Sequence, residues 1–259
     1  MDEQVEDPTK HLSSDKLLFL NSPECPFAQR TWIALIEKNV LYSKVDINLR
    51  NASGQYAPDN KPEWFLRLNP NGKVPVLAYE EERTIHQIYE SNICNEFLED
   101  YQPSPSLLPP HPAVRARARI IIARFSEAFV PAFYRLLLRQ DSEGQQQAAQ
   151  ALSTELHWLE AHFDSMGPYF MGTEFSLVDI SLLPFFLRFG VLQHYRGFSL
   201  PSECSKLAAW VQEVSKRASV QETSVSAKPE LSYEKYLVWV YERYADGSAK
   251  STSAADFKD

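Results

Sequence analysis

Leu17-Leu18-Phe19-Leu20-Asn21-Ser22-Pro23-Glu24-Cys25-Pro26-Phe27-Ala28-Gln29-Arg30 is the stretch that decides the fold. Four consecutive apolar residues closed by Asn-Ser-Pro read as a strand and then a turn. Pro26 sits where a first helical turn tolerates a missing N–H, and residues 27–38 mix Ala28, Ile33, Ala34 and Ile36 with Arg30, Glu37 and Lys38, as a helix would. Cys25 therefore falls between a strand and the start of a helix. There, unpaired N–H groups and the positive end of the helix dipole favour a thiolate over a thiol. Arg30 is close in sequence and adds to that effect if it points the same way. The competing reading of Cys25 is a small buried apolar residue. Position 28 is Ala, so a mixed disulfide at Cys25 has no Cys-x-x-Cys partner to resolve it and needs an outside thiol.

Outward from this stretch, residues 42–47 alternate as a second strand and residues 48–60 are polar and irregular. A short helical piece covers 63–68. Asn69-Pro70-Asn71-Gly72 is a turn, followed by a strand over 74–79. Glu80-Glu81-Glu82-Arg83 links it to Thr84-Ile85-His86, and 90–101 places Ile93, Phe97, Leu98 and Tyr101 at helical spacing. The order is βαβαββα. Residues 102–112 hold five prolines and form the linker between domains. Beyond it the text reads as helices over 113–139, 143–165, 176–190, 204–217 and 232–245. The expected organisation is a flexible tail (1–15), a first domain (16–101), the linker (102–112), an all-helical domain (113–245) and a flexible tail (246–259).

Composition narrows the function classes. Lys plus Arg number 26 against 34 Asp plus Glu, a net charge of −8, which argues against a broad phosphate-binding surface and hence against a nucleic-acid partner. Neither a G-x-G-x-x-G nor a P-loop motif is present. The six histidines show no metal-ligand spacing, so no metal is expected. The first fifteen residues are acidic and carry no apolar core, so no signal peptide is read there, and no apolar run approaches the roughly 20 residues that span a bilayer. Three cysteines, Cys25, Cys94 and Cys204, are too few for a disulfide scaffold, and the expected compartment is a reducing cytosol without membrane attachment. Cys94 lies in an apolar helix and reads as core, and Cys204 begins a helix in the second domain.

Two further features flank the cysteine. Val74-Pro75 opens a strand after a turn, where a cis bond would expose the Val74 backbone as an edge for an extended peptide. Glu90-Ser91 stands at a helix start. Ser91 reads first as an N-cap, but a helix N-terminus also attracts a carboxylate and Glu90 suits an ammonium group, so the pair fits an amino-acid head group.

Cys25-Pro26-Phe27-Ala28-Gln29-Arg30-Thr31, Asn60-Lys61-Pro62-Glu63-Trp64-Phe65, Asn69-Pro70-Asn71-Gly72-Lys73-Val74-Pro75-Val76-Leu77 and Ile88-Tyr89-Glu90-Ser91, in this order, resemble the glutathione transferase superfamily and are nearest to its omega class. The lambda class and the dehydroascorbate reductases share parts of this text. The resemblance covers about residues 16–245, with the specific motifs inside 25–91. It implies an α+β, thioredoxin-like first domain followed by an all-α domain, and homodimers that pair the first domain of one chain with the second of the other. It further implies that Cys25 forms a mixed disulfide with glutathione, with Phe27 beside the cysteine and the substrate. Lys61 would contact the glycine carboxylate, Val74 would pair with the cysteinyl unit, Pro75 would be cis, and Glu90 and Ser91 would hold the γ-glutamyl head. Phe175-Ser176-Leu177-Val178-Asp179 resembles the superfamily's capping box, a folding element.

The acceptor site is expected between Phe27, the long helix near Arg124, Phe125 and Phe129, and the C-terminal aromatics Tyr236 and Trp239, where flat hydrophobic acceptors would bind. The segment 51–59 departs from the family pattern and could reshape the pocket wall. The function expected is a glutathione-dependent thiol transferase or reductase acting on disulfides, dehydroascorbate or glutathione conjugates of aromatic compounds. The alternative is a ligandin that binds aromatic molecules with little turnover.

Overall fold

The run Leu17–Leu20 is almost wholly buried, and its placement explains why. The computed structural model describes residues 6–47 and 61–249. In it β1 (Leu17–Asn21) is a central strand of a four-stranded sheet ordered β2-β1-β3-β4. β2 (Tyr42–Asp46) runs parallel to β1, while β3 (Val76–Glu81) is antiparallel to both β1 and β4 (Thr84–Tyr89). A parallel pair needs a crossover, and α1 (Pro26–Glu37) supplies it. Side-chain alternation along β1 then divides the packing. Leu18 and Leu20 join Trp64, Phe65 and Leu68 of α2 (Glu63–Leu68), whereas Phe19 meets Trp32 of α1, ring centroids 6.5 Å apart. α3 (Ser91–Tyr101) packs on α1.

The buried Lys38 ends α1 and pairs with Glu99 of α3 at 2.6 Å, while its ammonium also reaches the Pro105 carbonyl at 2.8 Å. The proline-rich stretch is therefore held rather than loose. The chain divides into two units at Ser106/Leu107, and in the second the Leu107 carbonyl accepts from the Leu177 N–H at 2.8 Å.

The second unit is helical: α4 (Pro112–Arg124), α5 (Val130–Leu138), α6 (Ser142–His162), α7 (Leu177–Phe186), α8 (Phe189–Arg196), α9 (Ser205–Val214), α10 (Ala218–Thr223) and α11 (Tyr233–Ala245). Three departures from the sequence expectation have local causes. The single helix expected over 113–139 is divided by a π turn at Phe125–Phe129, where the Val130 N–H donates to the Phe125 carbonyl. Pro131 explains it: proline offers no N–H to the carbonyl four residues back and its ring crowds that carbonyl, so the ladder shifts register.

The helix expected over 176–190 breaks after Phe186. The Arg188 N–H turns to Phe185, and the buried Arg188 guanidinium donates to the Pro184 carbonyl at 2.6 Å, in the place of the lost helical donor. α10 was not expected. After Val214 the turns tighten to three residues, and the Arg217 guanidinium lies 4.0 Å from the Phe175 ring while donating to the Tyr169 hydroxyl at 2.7 Å.

Within the segments expected as tails, some of the described residues make defined contacts. Asp7 caps a 3-10 turn at Pro8–His11 and pairs with Arg67 of α2 at 3.0 Å. Ala249 is buried, its N–H donating to the Arg243 carbonyl at 2.8 Å. Residues 1–5 and 250–259 lie outside the described residues, as does the 51–59 segment.

Candidate active site

The thiol position is built by the β1–α1 junction. The Cys25 N–H closes a turn on the Ser22 carbonyl at 3.0 Å, Pro26 occupies the first turn of α1, and Cys25 becomes the N-cap. In the N-cap conformation the sulfur accepts from the Ala28 N–H at 3.5 Å. The side chain is half-buried, and Sγ lies 3.8 Å from the Val74 carbonyl, the direction in which the thiol donates. The cap bond favours the thiolate and the carbonyl contact favours the thiol.

Val74 is brought to the sulfur by the Asn69–Gly72 turn. The Asn69 side chain accepts from the Asn71 N–H at 3.0 Å and donates to the Lys73 carbonyl at 2.7 Å, while Gly72 takes a φ of +58° that favours glycine. The peptide Val74–Pro75 is cis. Lys61 lies over the same turn, so close that a Cβ on Gly72 would stand 2.9 Å from its Nζ.

Glu90 and Ser91 stand at the start of α3, with their cap roles exchanged from the expectation. Glu90 is the N-cap and makes no side-chain cap bond, and Ser91 is the first helical residue. Glu90 holds φ 71° and ψ 115°, a left-handed conformation that costs a non-glycine residue about 1–3 kcal/mol. Ser91, already helical, stands one residue past the cap position, and its Oγ accepts from Arg30 Nη1–H at 3.2 Å. Arg30 in turn stands 5.2 Å from the centroid of the Phe27 ring. The structure thus joins Cys25 to Val74, and Phe27 to Arg30 and Ser91. The link through Arg30 was missed in sequence reasoning. Its signal was a charged residue three positions after Phe27, on one face of the helix.

The acceptor residues expected in the second unit fare differently. Phe125 and Phe129 stack on each other at 4.3 Å and pack against Phe185 and Phe186; at 1% and 0% exposure they are core rather than a pocket wall. Helical spacing identified a buried stripe, but other helices bury it. Arg124 is committed to α6, forking onto Glu155 at 2.9 and 3.0 Å and lying 4.3 Å from the Trp158 ring. Tyr236 is also buried, stacked on a half-buried Trp239 that Lys228 covers at 4.0 Å. α11 is tied down by Arg196, which donates to the Leu136 carbonyl at 2.9 Å and the Ala245 carbonyl at 2.7 Å, so one guanidinium serves two helix ends.

The other two cysteines are buried. Cys94 is buried, and desolvation pushes its pKa up to about 12. Cys204, also buried, is raised to about 11 by desolvation and then by Glu160 and Glu203. The expected capping box is present at α7, where Ser176 accepts from Val178 and the buried Asp179 accepts from the Ser176 N–H at 2.9 Å, from the Phe170 N–H at 2.8 Å and from Trp210 Nε1–H at 2.7 Å.

Two family models match the chain, the glutathione S-transferase N-terminal domain over residues 24–100 and the glutathione S-transferase C-terminal domain over residues 122–223. The chain is 31% identical over 205 residues to the probable glutathione S-transferase DHAR1, cytosolic, of Oryza sativa subsp. japonica, covering 78% of this chain and 85% of the relative. It is 31% identical over 215 residues to glutathione S-transferase omega-1 of Mus musculus, covering 82% and 81%. The crystal structure of glutathione transferase Omega 3C from Trametes versicolor superimposes with a TM-score of 0.74 at 33% identity, covering 94% of this chain and 96% of that one. With its thioredoxin-like first unit, its helical second unit and these relatives, the chain belongs to the glutathione S-transferase family.

Proposed function

We propose that this protein is a glutathione-dependent thiol transferase in which Cys25 is the nucleophile and glutathione the co-substrate. The observation that carries this reading is the half-buried Cys25 sulfur at the N-terminus of α1, bonded to the Ala28 N–H, with no cysteine at position 28. The Cys25 thiolate attacks the glutathione sulfur of a mixed disulfide. The Cys25–glutathione disulfide forms as the other sulfur departs as a thiolate, which takes a proton. A second glutathione thiolate then attacks the bound glutathione sulfur, releasing Cys25 as thiolate and glutathione disulfide as product. The second glutathione is required because Ala28 supplies no internal sulfur.

In this reading Phe27 stands beside the reacting sulfurs and the Val74 backbone aligns the cysteinyl unit after cis Pro75. Lys61 meets the glycine carboxylate, and Glu90 and Ser91 meet the γ-glutamyl group. Disulfides, dehydroascorbate and glutathione conjugates of aromatic compounds are the acceptor classes we assign. The protein would work as a homodimer in a reducing cytosol, where Cys25 persists as a thiol; a sizing experiment that returns the mass of one chain refutes the dimer. The function is tested by glutathione-dependent reduction of a small mixed disulfide. Wild type turns over and Cys25→Ala falls by about a thousandfold or more; equal rates would contradict the reading.

A further inference from the structure

The Cys25 helix also carries a buried charge. Arg30 is 1% exposed, and burying a guanidinium is costly unless it is well partnered. Its Nη1–H is spent on Ser91 Oγ at 3.2 Å, and the guanidinium carbon lies 5.2 Å from the Phe27 ring centroid. A serine hydroxyl has one proton and two lone pairs, and a guanidinium can only donate. With Arg30 on a lone pair, the Ser91 proton is directed to a different acceptor. The positive charge polarises that hydroxyl further, and Ser91 sits in the first turn of an eleven-residue helix whose N–H groups also favour an anion. Resting on the thiol-transfer reading above, we propose that Arg30 is a positioning residue that fixes Ser91 as a donor toward the γ-glutamyl carboxylate, so that the pair selects a carboxylate over an amide at that end of the co-substrate. A carboxylate brings a full negative charge to the polarised hydroxyl and to the first-turn N–H groups of the helix, whereas an amide is neutral and gains less from both. Lysine would not replace Arg30, because it lacks the planar fork that can lie by Phe27 and donate to Ser91 together.

The test is titration calorimetry on the full-length protein with two probes, glutathione and the same tripeptide with its γ-glutamyl α-carboxylate converted to the amide. Wild type is expected to prefer glutathione by tenfold or more in Kd. In Arg30→Met that preference falls below about threefold through loss of glutathione affinity, while the Kd of the amide stays within about twofold; Arg30→Lys keeps only part of the preference. An unchanged preference in Arg30→Met, or equal weakening of both probes as a scaffold defect would give, overturns the proposal. If Arg30→Met does not fold, Ser91→Ala must lose the preference by the same factor, and its retention is equally fatal. Because binding is read without turnover, failure here is separable from failure of the thiol-transfer reading, which Cys25→Ala turnover decides.

Discussion

Two helices of this protein begin at a cysteine, and the two sulfurs stand in different surroundings. Cys25 caps α1 with its own sulfur, which takes the Ala28 N–H and is half-buried. Cys204 caps α9 with no side-chain bond, because the Glu160 carboxylate of α6 takes the Lys206 and Leu207 N–H groups at 3.0 and 2.9 Å. The helix end that favours a thiolate in the first case is neutralised in the second, and burial with two nearby carboxylates holds the Cys204 thiol up at about 11. Position at a helix start does not make a cysteine acidic. What decides is whether the sulfur or another group receives the first-turn donors, and whether water can reach it. A third helix start, at α7, spends its donors on folding through Ser176 and Asp179.

The largest effect expected from this contrast is in alkylation. At pH 7 iodoacetamide should modify Cys25 at least about a thousandfold faster than Cys204, since both burial and thiolate fraction differ; peptide mapping measures it, and comparable rates would break the comparison. Next is Asp179→Ala at α7, which leaves the Phe170, Ser176 and Trp210 donors unpaired in the core. It should cost about 3–5 kcal/mol in a urea titration, whereas a loss below about 1 kcal/mol would mean those donors find other partners.

The smallest effect is expected from Glu160→Gln, which removes the carboxylate from the α9 start and should cost about 1 kcal/mol. It should also lower the Cys204 pKa from about 11 without returning it to the ordinary 9.0, because desolvation is the leading cause. The sign of the alkaline dependence follows: a thiol whose folded pKa is raised contributes stability that is complete below pH 9.0 and is lost as pH rises toward about 11. Wild-type stability should therefore fall across that window, and the Cys204 share of the fall should shrink in Glu160→Gln.

The part of the molecule legible from sequence is the part whose signals are local. The apolar run Leu17–Leu20, the Pro26 start and the Asn69–Gly72 turn each act through backbone preferences of a few adjacent residues, and they mark β1, α1 and the approach to β3. Tertiary partners decided the rest. The break between α7 and α8 depends on Arg188 reaching back to the Pro184 carbonyl. Phe125 and Phe129 have the spacing of a buried stripe, and spacing does not say whether a ligand or the Phe185 and Phe186 rings will cover it. Ser91 looked like an N-cap because serine prefers that position. The positive φ of Glu90 puts the cap one residue earlier, and neither that conformation nor the bond from Arg30 to Ser91 is visible without the fold.

The proposed reaction turns on Cys25 being the sulfur that exchanges with glutathione. Incubating the protein with glutathione disulfide at neutral pH and measuring its intact mass and peptide map tests this directly. The predicted result is one glutathione per chain, on the peptide holding Cys25 and released by excess thiol, with Cys94 and Cys204 unmodified. An unmodified chain, or an adduct mapped to Cys94 or Cys204, would contradict it.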